Sequence, residues 1–509
     1  MKAAIVLDFG SQYSQLIVRR VRELGVYAEL FPHDASPEQF AHLDPGTFIL
    51  SGGPASVYEP DAPSFPAYLF DFQVPVLGIC YGMQVLAKAF GGKVEPGQGE
   101  FGGTTFRVIE NHPVFHGLPQ EFHVWMSHGD NVISLPSSFQ ILGRTQACPI
   151  AAISDLNSHF LGLQFHPEVE HTEFGREILA NFLFRVCHLT KEWNPSLIVE
   201  KAIQEIRERT KNGRVLCAIS GGVDSTVTVF LLKRAIPGQF LPLFVNTGLL
   251  RYQEEEQVKK VLKDADIDLH YVDESSKFLG ALQGVTDPEE KRKIVGNLFI
   301  EVFAREAKKL GPFEFLAQGT IYPDVIESRG KERKTADKIK THHNVGGLPE
   351  VLPFKLIEPL RYLFKDEVRQ IGQLLGVPAE ILNRQPFPGP GLAVRILGEV
   401  TKERVEILKR ADFIYQEEIK RAQLERRPDQ YFAVLLPVKA VGVTGDRRAY
   451  GYVLALRAVR TKDFMTADWF PLPLDLLKKV SSRICNEIRE ITRVVYDVTS
   501  KPPATIEWE

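Results

Sequence analysis

The sequence predicts an α/β protein, with two α/β domains followed by a C-terminal α+β domain. Three observations lead there. Short apolar runs alternate with amphipathic segments from Ala3 onward, the pattern of a parallel sheet faced by helices. The same alternation restarts after Asn194-Pro195, which interrupts the preceding helical pattern. Beyond Pro386-Phe387-Pro388-Gly389-Pro390-Gly391, which no regular element can contain, the order becomes helix, two strands, helix, strand. Domains are accordingly expected at 1–192, 193–385 and 386–509.

In the first domain, Ala3–Leu7, Val26–Phe31, Phe48–Leu50 and Val74–Ile79 read as strands bounded by turn residues. Ser14–Leu24 reads as a helix because Leu16, Ile17, Val21 and Leu24 fall on one face. Thr105–Ile109 and Phe160–Phe165 are expected as antiparallel additions, and Ile178–Cys187 as part of a helix. In the second domain, a helix over Leu197–Arg209 leads into the strand Val215–Ile219. Leu241–Asn246, Leu269–Val272 and Glu314–Ala317 supply further strands, separated by helices at Tyr252–Asp264 and Pro288–Leu310. The third is expected to hold helices at Glu403–Gln423 and Leu474–Ile491. Its strands are expected at Phe432–Val443, Tyr450–Val459 and Arg493–Val498.

Composition narrows the function. A chain of 509 residues, 44% hydrophobic and 25% charged, can bury several cores. Its net charge of −3 gives no reason to expect a nucleic-acid or membrane-surface partner. Cys80, Cys148, Cys187, Cys217 and Cys485 are odd in number and form no C-x-x-C pair, which argues for a reducing compartment. Asp8 ends the first apolar run too early for a signal peptide, and Asp71 and Gln73 interrupt the most apolar stretch, Tyr68–Cys80. A cytoplasmic enzyme is expected.

Two constellations carry chemistry. The first is Ser220-Gly221-Gly222-Val223-Asp224-Ser225-Thr226, set between the apolar runs Val215–Ile219 and Val227–Leu232. A strand, a Gly-Gly turn and a helix start present backbone N–H groups to an anion. Ser220, Ser225 and Thr226 add hydroxyl donors, and Asp224 is a candidate Mg2+ ligand. Without a Gly-Lys-Ser/Thr ending this is not the usual triphosphate loop. It resembles the pyrophosphate loop of enzymes that transfer AMP from ATP and release pyrophosphate. An ordinary tight turn is the bland alternative.

The second is Gly78-Ile79-Cys80-Tyr81-Gly82-Met83-Gln84, a cysteine at a strand-to-helix turn between glycines. Such a turn holds a nucleophile above a sheet, and a helix N-terminus favours the reactive thiolate. The other four cysteines read as inert and buried. A thiol nucleophile needs a base and an orienting partner. His166-Pro167-Glu168 offers both: His166 to take the proton, Glu168 to fix the imidazole tautomer. Ser51-Gly52-Gly53-Pro54 follows a strand, where its amides suit an oxyanion hole.

Together these pieces resemble the class I glutamine amidotransferase domain, over roughly residues 1–190 and in that family's order. The resemblance implies a flavodoxin-like fold, with Cys80 as nucleophile, His166 as base and Glu168 as orienter. It implies amides near Gly53 and Tyr81 at the oxyanion. The whole chain is similar to the glutamine-hydrolysing GMP synthetase family. Further matching stretches are Asp287–Lys293, Gln318–Asp324, Thr341–Leu348, Pro386–Leu392 and Lys501–Glu509. That family amidates xanthosine monophosphate (XMP) with ammonia from glutamine, using ATP and releasing AMP and pyrophosphate.

The family resemblance implies an adenine-nucleotide α-hydrolase-like ATP pyrophosphatase in the second domain, and a C-terminal domain that dimerises and completes the XMP site. Asp324 and Glu327 suit Mg2+ or the ATP site, and Lys340 the α-phosphate. Arg292, Arg493 and Lys501 are candidates for the XMP phosphate, Ile506 and Glu507 for the nucleoside. A surface charge is the alternative for each charged residue alone. The basic segment Ser328–Asn344 reads equally as a solvated face or as a lid over phosphates, and Pro386–Gly391 as part of the XMP pocket or as a linker. Rival readings are an NAD synthetase, a catalytically silent scaffold and an RNA sulfur-transfer enzyme.

Overall fold

The computed structural model describes residues 1–322, 324–325, 354–425, 427–444, 447–461 and 466–509, the side chains of Gln98, Thr444 and Arg447 excepted. The chain forms two compact units, Met1–Leu197 and Ile198–Glu509.

The first unit contains β1 (Lys2–Asp8), α1 (Ser14–Glu23), β2 (Tyr27–Pro32), β3 (Asp44–Leu50), β4 (Val76–Ile79) and α2 (Tyr81–Ala89). There follow β5 (Lys93–Val108), β6 (Glu121–Ser134), β7 (Phe139–Arg144), β8 (Ala152–Asp155), β9 (Phe160–Leu163) and α3 (Gly175–Asn181). Among the described residues the strands join in one sheet of order β2-β1-β3-β4-β9-β8-β7-β5-β6. The first five of these run parallel. That is the flavodoxin-like order, which reverses between β1 and β3, and the strand ends beside such a reversal are where ligands bind. Residues Ala3–Leu7 are buried throughout β1, as expected for a strand covered on both faces.

Phe160–Phe165, expected as an antiparallel addition, instead supplies β9, which runs parallel to β4 and is antiparallel only to β8, because it sits inside the sheet between them. The remaining strands are antiparallel. Thr105–Ile109 overlaps the end of the 16-residue β5, which pairs with the 14-residue β6. The helix expected through Cys187 leaves the α-form at Asn181 and continues as a π-helical turn over Phe182–Val186.

The second unit begins at Ile198, within α4 (Pro195–Thr210). This helix starts two residues before the expected Leu197. Pro195 suits the first turn, which needs no N–H donor, and Asn194 Oδ1 accepts the Leu197 amide at 3.1 Å. Next come β10 (Val215–Ile219), α5 (Val223–Ala235), β11 (Phe240–Asn246), α6 (Glu254–Asp264), β12 (His270–Asp273), α7 (Ser275–Ala281) and α8 (Pro288–Lys309). The series continues with β13 (Phe315–Ala317), β14 (Lys355–Ile357) and α9 (Lys365–Leu374). These strands form a parallel sheet of order β12-β11-β10-β13-β14, which reverses direction of growth between β10 and β13.

The rest comprises α10 (Lys402–Arg421), β15 (Gln430–Thr444), β16 (Arg447–Arg460), β17 (Asp468–Trp469), α11 (Leu474–Glu487) and β18 (Ile491–Tyr496). Helix α11 stops short of Ile491 because Ile491 already pairs with Tyr452 as the start of β18. Leu216, Leu243 and Phe303 share one hydrophobic cluster with Leu408, Tyr415 and Leu454, so both sheets of this unit rest on a continuous core. Among the described residues, no helix is long and apolar enough to cross a membrane.

Candidate active sites

In the first unit, β4 ends at Ile79 and α2 begins at Tyr81, leaving Cys80 alone on the turn. Its backbone sits at φ 53° and ψ −108°, a conformation that residues with side chains seldom adopt. Strain of this kind persists only where surrounding contacts enforce it. Here they do: the Cys80 amide bonds Leu163 O at 2.7 Å, and Cys80 O accepts from Met83 and Gln84 at the head of α2. The flanking glycines are a steric requirement. A Cβ on Gly82 would lie 2.3 Å from Leu50 O, and one on Gly78 would lie 2.5 Å from the Gly82 carbonyl carbon.

The chain leaving β9 carries His166 and Glu168 into the same region. His166 Nδ1 donates to Glu168 Oε1 at 2.7 Å, with both side chains buried, and the imidazole also bonds the Cys80 side chain. Burial works against the charged imidazolium, but the Glu168 carboxylate and the Cys80 side chain outweigh it. His166 is held well above the ordinary histidine value. Its backbone is clamped on both sides: the amide bonds Trp125 O at 3.1 Å, and Thr172 Oγ1 donates to its carbonyl at 2.6 Å. Arg20 Nε holds Glu168 O at 3.1 Å, and the Tyr13 ring meets the imidazole edge-on at 5.2 Å.

Gly52, rather than Gly53, faces the pair. A Cβ on Gly52 would lie 3.1 Å from His166 Cε1 and 3.6 Å from Cys80 Cβ, whereas one on Gly53 would point at Phe9 O, 2.5 Å away. Tyr81 is buried at the head of α2, its hydroxyl on Pro63 O at 2.7 Å. The other cysteines are inert by environment. Burial pushes Cys148, Cys187 and Cys217 up to about 12, and raises Cys485 in the same direction.

In the second unit, Ser220–Thr226 follows β10 at the reversal point of the parallel sheet. Gly222 caps α5, so Val223 and Asp224 stand in its first turn. Ser220 and Ser225 hydroxyls lie 3.1 Å apart, while Thr226 Oγ1 turns back onto Gly222 O at 2.8 Å inside the helix. Arg384 donates to Gly221 O at 2.5 Å and steadies the turn. Asp224 Oδ2 takes the Lys365 ammonium, and Asp224 Oδ1 is buried with no hydrogen-bond partner, an oxygen whose chemistry fits a cation. The chain after β13 runs against this turn, since a Cβ on Gly319 would lie 2.8 Å from the Asp224 carbonyl carbon. Asp324 Oδ2 accepts the Ile321 amide at 3.1 Å. Glu327, Lys340 and the basic segment Ser328–Asn344 lie outside the described residues. Among the described residues, no three His, Cys, Asp or Glu side chains group as a metal cage.

The Pro386–Gly391 turn packs on the segment after β11. Arg251 donates to Pro386 O at 2.8 Å and lies over the Phe387 ring, and Leu392 N bonds Leu249 O at 2.9 Å. Beside it, Arg395 forks onto Glu507 at 3.0 and 2.7 Å, and Gln430 donates to the same carboxylate. Arg457 binds the carbonyls of Thr499, Thr505 and Ile506, and Arg292 that of Glu509. Thus Arg292, Ile506 and Glu507 gather at the terminal segment. Lys501 pairs through its backbone with Ala467, and Arg493 stands exposed on β18 beside Val453.

Sequence reasoning missed the supporting residues Tyr13, Trp125, Thr172, Gln164 and Arg395. A signal existed for one: Gln164 is a lone amide in the apolar run Phe160–Phe165. The others are brought in from distant elements.

The glutamine amidotransferase class-I family model matches residues 5–186, and the GMP synthase C terminal domain model matches residues 417–508. The chain is 54% identical over 513 residues to the GMP synthase (glutamine-hydrolyzing) of Thermosipho melanesiensis, covering 100% of both. It is 56% identical over 510 residues to that of Thermomicrobium roseum, covering 100% of this chain and 96% of the relative. With the Aquifex aeolicus protein of the same name it shares 54% over 506 residues, 99% of each. These relatives give the NAD synthetase reading no support. The chain belongs to the glutamine-hydrolysing GMP synthase family.

Proposed function

We propose that this chain amidates XMP to GMP, taking nitrogen from glutamine and driving the step with ATP. The observation that carries the reading is the buried Cys80–His166–Glu168 line on a chain that aligns end to end with enzymes of that name. Glu168 fixes the imidazole with Nδ1 protonated, so Nε2 takes the Cys80 proton. The thiolate attacks the glutamine side-chain carbonyl carbon. Amides at Gly52-Gly53 and Tyr81 stabilise the oxyanion, and the imidazolium returns its proton to the departing ammonia. Water then cleaves the thioester to glutamate.

In the second unit, the Ser220–Thr226 loop and the α5 N-terminus hold the ATP phosphates. The XMP 2-oxygen attacks the α-phosphorus, pyrophosphate leaves, and ammonia displaces AMP at C2. Asp224 and Asp324 would hold Mg2+, which when bound neutralises charge on the leaving pyrophosphate; the partnerless Asp224 Oδ1 fits that role. Lys340 and Glu327 act at the α-phosphate and metal. Arg292, Arg493, Lys501, Ile506 and Glu507 form the XMP region. The enzyme is cytoplasmic and dimerises through the C-terminal hairpin, where Val441, Val443 and Tyr450 are exposed. Domain limits follow the sequence reading at 192/193 and 385/386.

Purified enzyme supplied with glutamine, XMP and Mg·ATP is expected to yield GMP, AMP, pyrophosphate and glutamate in equal amounts. Formation of ADP and orthophosphate instead would overturn the scheme. Sedimentation at micromolar concentration tests the dimer, and a monomer there removes that part.

A further inference from the structure

We propose that the Gln164 side-chain amide is a catalytic hydrogen-bond donor to the Cys80 sulfur, oriented for that task by Gln84. The inference rests on the reading of Cys80 as nucleophile. Three contacts define it: Gln84 Nε2 to Asp130 O at 3.0 Å, Gln84 Nε2 to Gln164 Oε1 at 3.4 Å, and Gln164 Nε2 to Cys80 Sγ at 3.8 Å. All three side chains are buried, Gln164 completely.

The orientation of both amides follows from one fixed point. A backbone carbonyl only accepts, so the Gln84 group on Asp130 O is its NH2. Its second N–H then faces Gln164, whose near atom must be the oxygen. That turns the Gln164 NH2 toward the sulfur. Reversing either amide would set N–H against N–H or oxygen against oxygen in a buried site, which is costly.

The bond acts on the ionised sulfur. In the thiol state, Cys80 S–H has an acceptor in Ser127 O at 3.6 Å. When the proton moves to His166, that carbonyl faces a negative sulfur and opposes it. The Gln164 N–H is the neutral donor that compensates, without transferring a proton itself. A thioester sulfur is a weak acceptor, so the donor also favours the thiolate when water cleaves the acyl-enzyme. The titratable side chains that act on Cys80 are His166 and Cys148, with His128 and Glu100 one step beyond. Gln164→Met leaves all of them in place, whereas Gln164→Glu adds one carboxylate at the sulfur.

The test uses Gln164→Met, which removes the donor at similar volume, and Gln164→Glu, which keeps an acceptor for Gln84 but sets an oxygen against sulfur. Alkylation of Cys80 by iodoacetamide is followed at its peptide by mass spectrometry in the full chain. At about pH 6.5 both variants should react at least about fivefold more slowly than the parent, and at about pH 9.5, where an ordinary thiol ionises unaided while the buried cysteines do not, Gln164→Met should match the parent. Cys148, Cys187 and Cys217 report folding in the same sample by staying unlabelled. Equal rates at the lower pH with those cysteines protected would overturn the proposal. Should a variant label throughout, the parent decides: its Gln164 side-chain 15N–1H signals should shift as Cys80 ionises, and no shift overturns it. If glutamine hydrolysis survives Cys80→Ala, the nucleophile assignment fails instead.

Discussion

His166 and Glu168, two residues apart in the chain, face each other across 2.7 Å with side chains almost fully withdrawn from solvent. Trp125, Thr172 and Arg20 hold the backbone of the pair on both sides. Glu168→Gln should therefore lower the His166 titration, followed by NMR. Glutamine hydrolysis should drop by about 10²-fold or more, with ammonia-driven synthesis retained. The folded His166 value lies above its unfolded value, so the pair stabilises fully below about pH 6.5 and loses that contribution as pH rises through the folded value. The variant should lose more stability at low pH than at high pH; equal loss would contradict this account.

Cys80→Ala should abolish activity with glutamine while sparing activity with ammonium salts. Loss of both would mean the two sites are misassigned. Because Cys80 holds a positive φ, Cys80→Gly should be more stable than Cys80→Ala by about 1 kcal/mol, read from urea midpoints. The reverse order would show that the turn is not strained.

Gly82→Ala drives a methyl group to 2.3 Å from Leu50 O, and backbone must move to admit it. A loss of about 3 kcal/mol is expected in the first unit. Gly103→Ala, which meets nothing within 4 Å, serves as comparison and should change stability by under about 0.5 kcal/mol.

Asp224→Asn should remove XMP-dependent exchange of pyrophosphate into ATP by about 10²-fold or more and leave Cys80 acylation intact. Its ion pair with Lys365 is partly exposed, so stability should change by less than about 1 kcal/mol. Undiminished exchange would sink the loop assignment.

Arg395 is fully buried, forks onto Glu507 and lies over the Phe432 ring. Arg395→Met should destabilise the second unit by about 3 kcal/mol, seen in urea unfolding, because Glu507 loses its charge partner. Arg395→Lys should recover little, since an ammonium cannot reproduce the fork. Full recovery would show that charge alone matters there.

Local chemistry was readable wherever a few consecutive residues carry it. The Cys80 turn and the Ser220–Thr226 loop each occupy a strand end and a helix start, so short apolar runs locate them. The hairpin of β5 and β6 was not readable to its full length. Phe122, Val124, Met126 and His128 do alternate inward, but intervening polar residues and the glycines of β5 weaken the signal. Strand β14 is three residues long and owes its existence to pairing with β13.

The amino-acid order alone determined the alternating α/β pattern, the thiol set on a turn, the glycine-rich Ser220–Thr226 loop between a strand and a helix, and the absence of disulfide pairing patterns. Those features depend on neighbours a few residues apart. Only the tertiary structure decided that Gly52 faces Cys80, that Gln164 and Gln84 line up behind it, and that Arg395 and Arg457 anchor the terminal segment. Each of these is a contact between residues far apart in sequence, selected because burial leaves a polar group no partner but the one folding brings to it.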